Sequence, residues 1–212
     1  MDITTFGQLL SKIGELLAIV EKCVAWVRST AGTRTDKRQQ AKAAEEIRNL
    51  AESLGECSFV AQEVMDYLSR VIPIASRSYA YADKVAEMVQ GRLSSLEGKD
   101  DPYHDINWQI IQTLVHSISD KRKEMGEIAD GDIPLPNDSD FGRVRELARQ
   151  FCDAYDHATE NTVSRNATLV SSRCKDMSKA SIRIEKLCSH MNHDISHALT
   201  KNLAEAIRRG IS

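Results

Sequence analysis

Glycine and proline are scarce in this chain, with ten and four among 212 residues. Collagen-like and low-complexity architectures are thereby excluded. Aromatic residues are few, at 5%. β-branched residues nowhere alternate over a strand length, so no sheet is expected. The five cysteines, Cys23, Cys57, Cys152, Cys174 and Cys188, form no CxxC pair. An odd number at wide spacing fits neither a zinc knuckle nor a disulfide scaffold. Reduced, mostly buried thiols in a cytoplasmic protein are the expectation. No run of about 18 apolar residues occurs, so no transmembrane helix is expected. The opening Met1-Asp2-Ile3-Thr4-Thr5 lacks the basic stretch of a secretory signal. A strong charge of one sign is missing too. Lys and Arg number 28 against 31 Asp and Glu, a formal charge of −3. Nucleic acid is therefore not the expected partner. Apolar residues make up 42%, which excludes wholesale disorder.

Helical periodicity is what the chain has in quantity. Breaks fall near Ala31-Gly32, Gly98 to Pro102, and Gly131 to Ser139. The first segment, about Thr5 to Ser29, opens with Thr5 and Gln8 three apart, the spacing of a capping box. Ile3, Phe6, Leu9, Leu10, Ile13, Leu16, Leu17, Val20, Val24 and Val27 recur at helical spacing and give it a wide apolar arc. The second segment starts near Asp36, with Gln39 three residues on. Its stripe runs Ile47, Leu50, Leu54, Cys57, Val60, Val64, Leu68 and Val71. It reaches Pro73 and resumes in phase at Ala75, Tyr79, Ala82, Val85, Val89, Leu93 and Leu96. A proline inside a helix removes one hydrogen bond and crowds the preceding turn. Preserved phase predicts a kinked single helix over about 36–97. The third segment begins with Asp101 as cap and Pro102 at the first helical position, and runs to Asp130. The acidic loop from Ala129 to Asn137 has no EF-hand register. Asp138, Ser139 and Asp140 then cap a long helix over about 139–209. The polar, β-branched stretch Glu160 to Asn166 is its weakest point.

The expected fold is all-α: an antiparallel bundle of four to six helices in a single domain, 1–212. It is elongated if both long segments stay whole. Helices of about 90–100 Å cannot be covered by short ones of about 38 Å. The uncovered apolar stripe then predicts a coiled-coil-like interface, most simply a homodimer. Charge supports that pairing. Residues 1–142 carry 16 basic and 23 acidic side chains, and residues 143–212 carry 12 and 8.

Three chemical readings arise. His190, His193, Asp194 and His197 lie within a 100° arc of one helix face and are candidate metal ligands. They point away from the stripe Ile184, Leu187, Met191 and Ile195, so solvated histidines and no cofactor are the plainer expectation. Arg183 and His190, six residues between them, resemble the R-x4–6-H pattern of HEPN-type helical ribonucleases. That resemblance implies RNA cleavage at this pair, although Ile184 stands where the family has a polar residue. The first segment, with its broad arc and low charge, Lys12, Glu15, Glu21 and Lys22 among its few charged residues, resembles in architecture the leading helix of HeLo-type cell-death domains. That implies a helix that engages membrane. Signatures of the P-loop, dinucleotide, serine-hydrolase and zincin classes are absent. The leading expectation is a non-enzymatic interaction or scaffold protein acting through a protein partner or itself.

Overall fold

The computed structural model describes residues 5–30, 37–93, 96, 102–131, 139–202, 204, 205 and 208. The described residues are all-α, with no strand among them. The helices are α1 (Phe6–Thr30), α2 (Lys37–Gln90), α3 (His104–His116), α4 (Ser119–Asp130), α5 (Ser139–Val163) and α6 (Ala167–His197). A π turn, Ala198–Asn202, follows α6.

Their boundaries follow from local chemistry. At α1, Thr5 Oγ1 accepts from the Gln8 N–H and Gln8 Oε1 accepts from the Thr5 N–H, both at 3.1 Å. This reciprocal capping box satisfies two donors that the first turn leaves without partners. The cap expected at Asp36 lies outside the described residues. Helix α2 passes through Pro73 as one element. Val64, Leu68 and Val71 before the proline, and Ala75, Ala82, Val85 and Val89 after it, are all buried. The seam spacing of three and four residues is kept across Pro73, as the apolar phase predicts. The helix ends at Gln90 rather than near 97, with Gly91 next.

Two expected helices are divided. The third segment starts at His104, not at Pro102. Pro102 and Tyr103 form a turn, and Tyr103 gives no side-chain cap. Asp101 lies outside the described residues, as does Asp138. Within the segment, Ser117 Oγ donates to the Leu114 carbonyl at 2.6 Å. A serine hydroxyl bonding back to the preceding turn competes with the helix ladder. The Ile118 N–H turns to Val115 at 3.0 Å, and α4 begins anew. The apolar phase survives the junction through Trp108, Ile111, Val115, Ile118 and Met125, all buried.

The long helix expected over about 139–209 is a correction. It is two helices, α5 and α6, separated at Ser164-Arg165-Asn166 inside the polar stretch. The Asn166 N–H reaches the Asn161 carbonyl at 2.9 Å, and the Arg165 N–H reaches Thr162 at 3.3 Å. This bond pair is a Schellman stop, and Arg165 takes the left-handed position with φ 55°. Asn166 Oδ1 then accepts from the Leu169 N–H at 3.1 Å and caps α6. The apolar stripe of this region is buried in both helices, at Phe141, Val144 and Phe151 in α5 and at Val170, Cys174, Met177 and Ile184 in α6.

The described residues form two compact units. One gathers residues of Met1–Tyr67, Ile133–Ser139 and His190–Ser212; the other gathers Leu68–Asp132 and Asp140–Ser189. In the second unit, Ser171 Oγ donates to Gln90 Oε1 at 3.1 Å and Ser178 Oγ to Asp83 Oδ1 at 3.2 Å. The descending order on α2 against the ascending order on α6 makes them antiparallel. Small residues at the contact, Ser78, Ala82 and Ala86 on α2 with Ser178 and Ser181 on α6, are buried and permit close axes. Arg122 grips Asp156 at 3.0 Å and Arg149 donates to the Ala129 carbonyl at 3.2 Å, so α4 and α5 are antiparallel as well. In the first unit the buried apolar residues come from α1 (Phe6, Leu9, Ile13, Leu16, Leu17), α2 (Cys57, Ala61, Val64, Tyr67) and the end of α6 (Met191, Ile195) with Ala198. The π turn packs against α1.

Candidate interaction site

In the first unit, burial stops part-way along two helices. On α1 the seam positions Phe6, Leu9, Ile13 and Leu16 are buried. The same three-four spacing continues to Val20 and Cys23, which are half-buried, and to Val27, which is 52% exposed. No described side chain of α1 beyond Leu17 is buried. On α2 the mirror image holds. Among the described side chains of α2, Cys57 is the first that is buried, and none of those from Ala41 to Glu56 is. Only six residues separate the two helices in the chain, and such short connections join antiparallel neighbours.

These two half-covered stretches form the walls of a cleft of about 560 Å³. Leu16, Ile19, Cys23 and Trp26 line it from α1, and Ile47 and Ser53 from α2. Ile19 and Ile47 are 41% and 40% exposed. One basic residue, Lys22, lies on the α1 wall, and one acidic residue, Glu46, on the α2 wall. The groove is apolar chiefly along α1, and Lys22, Glu46, Asn49 and Ser53 give it a polar edge, the mixture found at interaction surfaces. Ile19, Cys23 and Trp26 do not stand out in the apolar periodicity of α1 alone. They flank or continue the seam, and the signal for them is apolar character on both sides of it.

The histidine candidates are dispersed into two pairs. His190 Nε2 lies 3.7 Å from Asp194 Oδ2 on the exposed side of α6. The rings of His193 and His197 are tilted by 39° with centroids 6.1 Å apart. Among the described residues no three His, Cys, Asp or Glu side chains converge on a common metal position. Arg183 and His190 stand two turns apart on α6. Arg183 lines a separate polar cleft of about 400 Å³ between α5 and α6, together with His157, Arg173, Asp176 and Lys179. There Asp176 accepts from Arg173 at 3.4 Å and lies 3.7 Å from Lys179.

The five cysteines are free thiols. Burial pushes Cys174 and Cys188 up to about 12 and raises Cys57 and Cys152 as well. Cys152 Sγ also sits 3.5 Å from the Arg122 carbonyl. Cys23, in the cleft, is the one cysteine that is not buried. Among the described residues no helix is long and apolar enough to cross a membrane. Compared with known protein families, with characterised proteins and with solved structures, the chain matches none.

Proposed function

We propose that this protein is a non-enzymatic helical interaction module, and that it engages a helical protein partner through the cleft between the distal half of α1 and the first part of α2. One observation carries this reading: a seam buried from Phe6 to Leu16 continues in register into exposed Val27. Residues at three-four spacing are shaped to receive another helix. An uncovered continuation of such a seam costs solvation of apolar surface, about 25 cal/mol per Å², until a partner covers it. Four buried, unpaired thiols suit a reducing compartment, so the cytoplasm is the proposed location.

The test compares tagged wild-type chain with an Ile19→Glu/Val27→Glu variant and with a Leu169→Glu control, whose substituted residue is exposed on α6. Polypeptide retained from native lysate, or an untagged copy of the chain, is quantified by mass spectrometry. The reading expects wild type and control to retain the same partner and the double variant to lose at least nine-tenths of it. Equal retention by all three overturns it. Flotation with anionic vesicles in place of lysate checks the membrane alternative, which requires the double variant to lose vesicle binding.

A further inference from the structure

We infer that the occupant of the α1–α2 cleft is the α1–α2 arm of a second copy of this chain, two hairpins closing one four-helix bundle. This deepens the interaction reading and rests on it. The first argument is the number of apolar faces. In the register of the buried seam, the distal seam positions of α1 are Val20, Cys23 and Val27. The positions flanking that seam are Leu17 and Val24 on one side, and Ile19 and Trp26 on the other. A helix with an apolar seam alone is satisfied by one neighbour. A helix with both flanks apolar as well needs neighbours on both sides. Helix α2 supplies one. A second hairpin supplies the other, and also covers the exposed Ile47 of α2.

Charge supplies the second argument. On α1 beyond Leu17 the sequence carries Lys22 and Arg28 against Glu21. On α2 up to Glu56 it carries four basic and four acidic residues. Two such arms do not repel. The walls are also self-complementary, with Lys22 on α1 and Glu46 on α2. A two-fold axis parallel to the arm lays α1 of each copy over α2 of the other. Each Lys22 then faces Glu46 of the opposing copy, and the contact occurs twice. Self-complementarity of one patch is the requirement of a two-fold interface. The arm offers about fifteen residues a side, below the twenty to thirty of a standard interface. Association is therefore expected in the micromolar range.

Sedimentation velocity of the full chain from about 1 to 100 μM, paired with the rate of Cys23 alkylation at each concentration, tests this. The expected result is a monomer–dimer transition, with Cys23 alkylation slowing along the same curve. Ile19→Glu and Val27→Glu should each weaken association at least tenfold with unchanged helicity, while Leu169→Glu leaves it alone. The wild-type protection of Cys23 needs no variant, so it stands even where an arm substitution impairs folding. A monomer throughout, with arm-dependent capture of another protein intact, overturns the self-pairing and leaves the interaction reading standing. A dimer in which Cys23 stays fully reactive also overturns it, because the interface then lies elsewhere. A monomer together with no arm-dependent capture defeats both.

Discussion

Cys23 differs from the other four cysteines in what surrounds it. Cys57, Cys152, Cys174 and Cys188 occupy buried positions of α2, α5 and α6. Removing a thiol from water disfavours the thiolate, so their pKa values rise, to about 12 at Cys174 and Cys188. The thiolate is the reacting species, so these four are protected twice, by access and by protonation. Cys23 lies in an open cleft. In dilute native protein at pH 8, a maleimide should therefore consume one thiol per chain rapidly, and Cys23→Ser should remove that fast phase. Intact-mass spectrometry over time reads the result. Two or more equally fast thiols would show that the core around α6 opens more readily than its burial implies.

At the scale of elements, the α5–α6 junction is held by backbone geometry and braced by one ion pair. Arg165 occupies the left-handed position that a Schellman stop reserves for glycine. Its guanidinium compensates by reaching Asp105 on α3 at 2.7 Å. The Asp105 carboxyl is held below the usual carboxylate range, first by this hydrogen bond and then by the Arg165 charge. A depressed folded pKa means that the pair supports the fold at neutral pH. That support begins to fade below the unfolded carboxylate's pKa and is gone once pH has fallen through the lowered one. To isolate the backbone, Arg165→Gly is compared with its parent in an Asp105→Asn background. The glycine variant should be more stable by about 1 kcal/mol, the cost of a left-handed non-glycine residue, as read by urea denaturation at pH 7. A loss of stability would mean that Arg165 packs through its aliphatic stem more than it strains the turn. Pro73 is the contrasting case. It breaks a hydrogen-bonding rule inside α2 without ending the helix, because the buried stripe on both sides holds the same face inward.

At the scale of the molecule, the two units differ in how their helices are covered. In the second unit α5 is buried at Phe141, Val144, Ala148, Phe151, Tyr155, Ala158 and Thr162, an unbroken seam along its length. In the first, the arm carries no buried described side chain between Ala41 and Glu56. Segments with few buried apolar contacts open at low free energy. Hydrogen exchange at sub-micromolar chain concentration, where self-pairing is dispersed, should exchange the amides of 41–56 at least a hundredfold faster than those of 144–158. Comparable protection in both stretches would show that the arm is stable without cover.

Periodicity in the sequence was enough to determine the helical class, the continuity of α2 through Pro73, the capping box at Thr5 and the weak stretch that holds the α5–α6 break. Each depends on contacts within about four residues, and such contacts are written in local spacing. Whether the polar stretch near Asn161 bends a helix or ends it depended on the backbone bonds of Arg165 and Asn166 and on what α6 packs against. The division at Ser117 likewise rests on one hydroxyl choosing a local carbonyl, while the apolar phase runs on unaltered. The cleft belongs wholly to the tertiary structure. The same apolar spacing runs along α1 from Phe6 to Val27, and nothing in it marks where cover ends. That boundary depends on which remote segments pack against α1, the π turn Ala198–Asn202 among them, and packing between segments so remote in the chain leaves no trace in local pattern.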